Sequence, residues 1–421
     1  MPELSRRLGT VDAVVIGLGS MMGAGVFAAF GPAARAAGAG LLIGLAIAAA
    51  IAYCNATASA QLAAVYPTSG GTYIYGRVRL GPWWGFAAGW GFLVGKTASC
   101  AAMALTVACY ALPGPWWAQR IIAVAAVVGI TALNYRGVTK TATLARILVA
   151  CTLVALAAVV IGIVIGGVRL SNLSGPGTWS SATAYGVLQS AGLLFFAFAG
   201  YARIATMGEE VRDPARTIPK AIIVALGIAV VVYLVVGVAV LLAAGPERLA
   251  GSAAPLAEAL RAAGAAQLVP IVAVGGVLAS LGALLALIAG IGRTALAMAR
   301  HRDLPNWLAV VHPRYQVPHH AEIALGVIVC VLTATVDLRG VIGFSSFGVL
   351  IYYAIANAAA YTQPTTQRRW PRLLNVCGVV GCLVLVATLP WQAVVAGLAV
   401  FVIGLTGRAI ARRFFTDPQR G

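Results

Sequence analysis

The sequence predicts an all-α membrane protein of about twelve transmembrane helices, and three observations carry that expectation. Of 421 residues, 61% are hydrophobic and only 10% charged, where soluble domains carry about 25%. Apolar runs long enough to cross the hydrocarbon as a helix, about 20 residues, recur along the whole chain. They are centred near residues 22, 50, 97, 126, 155, 196, 231, 283, 329, 350, 382 and 400. Basic residues follow the same rhythm. Counted from a cytoplasmic amino terminus, 21 of the 29 fall in inside loops and six outside, with Lys96 and Arg203 inside spans. That is the positive-inside bias, and it puts both termini in the cytoplasm. Membrane β-strands would alternate apolar and polar residues over short segments; these runs do not.

The net charge of +18 is thus a topology signal rather than the mark of a nucleic-acid partner, with some attraction to anionic membrane lipid expected besides. No cleavable leader is evident, because the first apolar run is too long and no Ala-x-Ala site follows it. All seven cysteines (Cys54, Cys100, Cys109, Cys151, Cys330, Cys377 and Cys382) fall in spans without zinc spacing, so they read as small buried hydrophobes. No phosphate-binding GxxxxGK[ST] loop occurs. Any energy input must come from a gradient or from exchange, and no cofactor is expected.

The first run contains "GLGSMMGAGVF", Gly17–Phe27, with glycines at 17, 19, 23 and 25 near mid-membrane. Each weakens a helix by about 1 kcal/mol relative to alanine. The second run ends at "YPTSGGTYIYGRVRLGP", Tyr66–Pro82, one of two elaborate inside stretches. The third places Lys96 about halfway along its helix, too deep to snorkel easily. The fourth and fifth are joined by "NYRGVTKTA". The sixth has a second interruption, "FFAFAGYAR", Phe195–Arg203, with Gly200 at mid-span and Arg203 one turn beyond it. In the loop to the seventh, Gly208–Ile222, Asp213-Pro214 favours a turn, Thr217 is placed to cap, and Pro219 suits a first helical turn. The eighth run leads into Ala299–His320, which holds or borders His301, His312, His319 and His320 without accompanying cysteines or paired acids. No metal site is expected there.

The two Gly-interrupted runs lie about 175 residues apart and open two five-helix halves, 11–167 and 182–361, followed by two further helices, 373–411. Five is odd, so the second half lies inverted. Matching interruptions in two halves point to a transporter binding site; close helix packing through small residues is the alternative. Unwound backbone at membrane depth is tolerated only in a cavity or buried in protein. A broken helix offers N–H groups to an anion and carbonyls to a cation, which together suit a small zwitterion such as an amino acid.

These residues resemble the amino acid–polyamine–organocation (APC) superfamily. "IGLGSMMGAGVF…GPAARAAG", "PTSGGTYIY", "NYRGVTKTA", "FFAFAGYARIATMGEEVRDPARTIPKAI" and "GRTALAMARHRDLP" are similar to its motifs and occur in family order from residue 11 to about 305. The resemblance implies a five-plus-five inverted repeat with broken helices 1 and 6, plus two C-terminal helices, and secondary transport by alternating access. It implies a substrate carboxylate on the N–H groups of Gly23, Ala24 and Gly25, and an ammonium on the carbonyls of Met21, Phe196 and Ala199, with Gly200 and Tyr201 adjoining. Two departures matter. The acidic residue that many cation-selective relatives carry after the sixth-helix glycine is replaced by Ala202, followed by Arg203. The lysine of many proton-coupled relatives in helix 5 is replaced by Thr152.

Lys96 is therefore the candidate coupling residue, or else a structural ammonium on the carbonyls of a broken helix. Arg203 snorkels or pairs with Glu209 or Glu210, or serves an inner gate or the substrate side chain beside Ala202. All eleven acids map to loops or helix ends, so a cationic substrate would be repelled. The expected function is transport of neutral amino acids across the plasma membrane by proton symport. Exchange, sodium symport and a non-transporting nutrient receptor are the alternatives. Oligomeric state is left open. A membrane-embedded enzyme would need carboxylate pairs, a Ser/His set or metal ligands at depth, and no catalytic residue is nominated.

Overall fold

The computed structural model describes residues 8–68, 70–137, 142–174, 179, 182–208 and 210–415. Among them the chain is helical throughout, with no strand beyond an isolated bridge between Leu8 and Val211. In order the helices are α1 (Thr10–Met21), α2 (Ala24–Ala28), α3 (Phe30–Ala37), α4 (Leu41–Val65), α5 (Thr72–Arg79) and α6 (Pro82–Ala111). There follow α7 (Trp116–Tyr135), α8 (Ala142–Gly166), α9 (Ser171–Ser174), α10 (Ala184–Phe198), α11 (Ala202–Ala205) and α12 (Pro214–Gly251). The chain closes with α13 (Pro255–Ala262), α14 (Val269–Arg300), α15 (His319–Thr335), α16 (Leu338–Tyr361), α17 (Arg372–Thr388) and α18 (Trp391–Phe415). Among the described residues ten stretches are long and apolar enough to span a membrane, and α15 and α17 are shorter apolar helices. Every one of the twelve expected runs is a helix.

Burial separates the helices into a core and a rim. The apolar windows of α6 and of the α10–α11 pair are 83% buried, against 17% for α7 and 22% for α18. The latter two face outward and carry exposed residues such as Ile121, Val128, Val402 and Ile403. At the centre α6 lies along α16, and glycines bring them together. A Cβ on Gly91 would stand 2.8 Å from the Gly348 carbonyl oxygen, and one on Gly95 3.0 Å from that of Ser345. This small-residue spacing lets helices touch backbone to backbone where hydrocarbon supplies no hydrophobic drive. The hydroxyls of Ser99 and Ser345 join across the same seam at 2.6 Å.

The breaks in the first and sixth runs lie against one another. A Cβ on Gly200 would strike the Ser20 carbonyl and come within 2.5 Å of Met21 N; one on Gly25 would meet Ala197 Cα at 2.5 Å. Gly17 likewise leaves room for Ile204, and Gly23 for Ala283 of α14. The glycines are thus the contact surface of two crossing backbones.

Several local expectations are corrected. The interruption in the sixth run is a tightened 3-10 turn, Ala199–Tyr201, rather than a gap. Asp213 precedes α12 in the left-handed region (φ 43°) and makes no side-chain cap; Thr217 bonds back to the Arg212 carbonyl, and Pro219 sits inside the helix. Cys377 is exposed, and Cys109, Cys151 and Cys330 are half-buried, because the C-terminal end of α6 and the helices α8, α15 and α17 each turn part of their surface outward. Asp303 is a loop residue, yet its side chain is only 3% exposed. It accepts from Tyr73 (2.8 Å) and Arg77 (3.1 Å) and pairs with Arg408 of α18 (2.7 Å). Burial and that carboxylate push the Tyr73 phenol up.

If the crossing depends on these glycines, Gly200→Ala must force backbone apart. It is expected to lower stability by about 1–3 kcal/mol, read as a drop in the thermal unfolding midpoint. Gly290→Ala in α14 is the control: nothing lies within 4 Å of its Cβ position, so the midpoint should hold or rise slightly.

Candidate functional site

Helix α1 stops at Met21. Met22 (φ −81°, ψ 36°) and Gly23 (φ −85°, ψ −137°) leave the helical region, and α2 starts at Ala24 with no side-chain cap. Ala29 stays right-handed helical, so α2 and α3 continue as one rod. The first N–H groups of that rod lack intrahelical acceptors, and they lie in fully buried backbone at Gly23, Ala24 and Gly25.

The freed carbonyls on the other side of the breaks are met by long polar side chains. The Tyr233 hydroxyl of α12 reaches the Met21 oxygen at 2.8 Å and the Ala197 oxygen at 3.1 Å. The Lys96 ammonium of α6 donates to the Ala199 carbonyl at 2.9 Å, and Tyr353 of α16 donates to the same oxygen at 3.3 Å. Lys96 is 4% exposed, and this carbonyl is its hydrogen-bond acceptor. Each tie crosses between helices, so the carbonyls that the breaks release fasten α6, α12 and α16 to the crossing.

A cavity opens beside Lys96. Its wall is Ser20 of α1, Phe92 and Lys96 of α6, the turn at Ala199 and Gly200, Ala202, Arg203 and Thr206 beyond it, and one face of α14 from Ala286 to Thr294. Among the described residues that wall carries three cationic side chains, Lys96, Arg203 and Arg293, and no carboxylate. At its rim Glu210 accepts from both Arg203 and Arg293, at 3.4 Å each. Arg203 also donates to Thr206 at 3.0 Å. Near this cavity the protein therefore favours neutral or anionic groups and opposes cations.

The sequence-nominated residues divide into two sets. Lys96, Ala199, Gly200, Ala202 and Arg203 come together on the cavity wall. Met21, Gly23, Ala24, Gly25, Phe196 and Tyr201 are buried in or beside the crossing and do not line it. Glu209 lies outside the described residues; Glu210 is the acid that pairs with Arg203. Thr152, at the place of the absent helix-5 lysine, bonds its own helix at the Leu148 carbonyl. Sequence reasoning missed Arg293, Tyr233 and Tyr353. Arg293 resembles one of the loop cations at the end of the eighth run. The only signal for the tyrosines was a polar tip amid apolar neighbours, in "VVVYLVV" and "LIYYAIA".

Tyr233→Phe removes the hydroxyl that two buried carbonyls share. We expect a loss of about 1–3 kcal/mol, seen as a lower unfolding midpoint. An unchanged midpoint would mean that the crossing does not depend on this tie.

Comparison with known proteins gives a consistent picture. The amino acid permease family model matches residues 8–406. An uncharacterized transporter of Mycobacterium tuberculosis (strain H37Rv) is 59% identical over 418 residues, covering 99% of this chain and 94% of the relative. A branched-chain amino acid permease of Bacillus subtilis (strain 168) is 27% identical over 436 residues, covering 96% and 92%. The chloroplastic cationic amino acid transporter 7 of Arabidopsis thaliana is 27% identical over 426 residues, covering 94% and 72%. With its many membrane-length helices and their interrupted first and sixth runs, this chain belongs to the amino acid permease family and is a multi-pass membrane transporter.

Proposed function

We propose that the protein is a secondary active carrier of neutral amino acids in the plasma membrane, driven by proton symport through Lys96. One observation carries the reading. The Lys96 ammonium is bonded to the Ala199 carbonyl, at the head of a cavity whose wall is cationic and, among the described residues, free of carboxylates. In the proposed cycle two inverted halves, 11–167 and 182–361, rock around the breaks, with 373–411 outside the repeat. The substrate carboxylate takes the N–H groups of Gly23, Ala24 and Gly25, where the helix start favours an anion. Its ammonium takes the carbonyls of Met21, Phe196 and Ala199. Most recognition is then main-chain, leaving the side chain to Phe92, Gly200 and Ala202 on the cavity wall, with Tyr201 buried behind them.

The protonated Lys96 holds α6 to the sixth-run turn. When its proton leaves, the neutral amine keeps two N–H groups but loses its charge, so the bond that ties the two weakens, and the cavity can release substrate on the side that carries Arg203, Glu210 and Arg293. By the basic-residue bias that side is the cytoplasm, where both termini also lie. The Arg203–Glu210–Arg293 bridge is the inner gate, a role that Glu209 was expected to share. The names of the relatives divide: a branched-chain permease agrees with a neutral substrate, whereas cationic transporters at the same identity do not. The cationic wall favours the neutral substrate.

Purified protein in liposomes tests this. An inward proton gradient, without sodium, should drive accumulation of leucine, isoleucine or valine. Lys96→Met should cut that accumulation about tenfold or more, equivalent to ~1.4 kcal/mol, while exchange of internal for external amino acid persists. Uptake of arginine or lysine would refute the charge argument. A sodium requirement, or exchange alone in the unaltered protein, would replace the coupling assignment. Saturable binding without any flux would identify a receptor.

A further inference from the structure

Glu322 stands in the first turn of α15, a single acid on an apolar helix. It is 2% exposed, and its Oε2 has no hydrogen-bond partner. The carboxyl rests on α14 at Gly292: a Cβ there would come within 3.0 Å of the Glu322 Cγ and 3.6 Å of its Oε1. The next residue is Arg293, which lines the cavity and is bridged to Glu210 at 3.4 Å. The cavity cation therefore has two acids in its neighbourhood, one engaged at the rim and one buried without a partner.

An ionised carboxylate that is buried without a full set of donors is several kcal/mol less favourable than the neutral acid. The same carboxylate beside an arginine is stable, because a charged pair with good hydrogen bonds offsets the lost hydration. We infer that Glu322 is a second proton-carrying group of this carrier, neutral in this conformation, which on ionising draws Arg293 from Glu210 and opens the inner mouth. The inference deepens the proton-symport reading and rests on it for the meaning of the proton. The step breaks one O–H bond. The carboxylic acid gives its proton to the aqueous side, the carboxylate pairs with Arg293, and Glu210 keeps Arg203 alone.

The route out is at hand. His319 is one helical turn before Glu322, within the reach of i, i+3 neighbours, and its Nδ1 is also unpartnered. His320 packs tilted and His312 edge-on against His319, with ring centroids 4.2 and 5.1 Å away. From α7, Tyr135 packs on His319 at 5.9 Å. From the loop, Trp307 packs on His320 and Arg314 on Tyr315. The cation on the α14 side is Arg293. The one charged residue of α6, Lys96, is turned to Ala199. Three half-exposed imidazoles thus cluster one helical turn from the buried acid, chemically able to take up and pass on a proton.

The test uses the full chain in lipid nanodiscs. Infrared titration should show a protonated-carboxyl band that Glu322→Gln lacks and Lys96→Met retains. In parallel, Gly290→Cys reports the cavity, since residue 290 lines it with open space around its Cβ position. Labelling of that cysteine by a water-soluble thiol reagent, quantified by mass spectrometry of its peptide and divided by the rate for a free model thiol at the same pH so that thiolate formation cancels, should rise about tenfold with pH as Glu322 ionises, ~1.4 kcal/mol in population. With Glu322→Gln added, labelling should stay low and flat. A pH response that survives Glu322→Gln overturns the inference, as does the absence of any carboxyl band due to Glu322. Failure of the Lys96 assignment would appear separately, as unimpaired gradient-driven uptake in Lys96→Met with both Glu322 readouts intact.

Discussion

Everything in this molecule depends on satisfying the main-chain groups released where two membrane helices break. Hydrocarbon offers no water to take them, so each unpaired group would be worth several kcal/mol against the fold. Three helices supply the answer: Tyr233 from α12, Lys96 from α6 and Tyr353 from α16 donate into the crossing. A mid-membrane helix can loosen itself here because its neighbours have reached in. The glycines that weaken the helices are the same residues that let the backbones touch, at Gly17, Gly25 and Gly200. Loosening and close packing are one design.

The same arrangement sorts the charges. Cations point at the crossing and its cavity, while Glu210 stands at the cavity rim and Asp303 in the loop after α14. Glu210 bridges two arginines, and Asp303 gathers Tyr73, Arg77 and Arg408. Replacing one partner of such a buried set leaves an uncompensated charge, so the acids fix the positions of the arginines around them. Arg408 also donates to the Pro82 carbonyl and stacks over Trp83 and Phe86. In this way α18, which is otherwise peripheral, is clamped to the start of α6. The helix that carries Lys96 is thereby held at its foot by ions and along its length by α16.

The spans were legible because membrane thickness leaves little freedom: about 20 apolar residues must form a helix. The breaks were legible because glycine at mid-span is unfavourable unless something uses it, and Lys96 because a deep charge has few explanations. The partners were not legible. Tyrosine in an apolar run reads as core, and nothing local says that the Tyr233 hydroxyl meets carbonyls of two distant segments. Arg293 was assigned to an inside loop and lies instead within α14 on the cavity wall, whereas Glu322 was assigned to a loop or helix end and does stand in the first turn of α15. Burial of Glu322 depends on Gly292, about 30 residues earlier. Thr217 had the right chemistry for a cap and the wrong place, since helix α12 begins before it. Long-range packing decides each of these, and local pattern does not encode it.

In the proposed function, recognition runs through the main chain of the two breaks, with the substrate's own carboxylate and ammonium as its handles. Calorimetric titration of the purified protein with leucine, its methyl ester and its deaminated acid tests this most directly. The account predicts that leucine binds and that each analogue loses about tenfold or more in affinity, ~1.4 kcal/mol or greater, because each leaves one set of freed backbone groups unmatched. Analogues that bind as tightly as leucine would place recognition in the side chain and contradict the account.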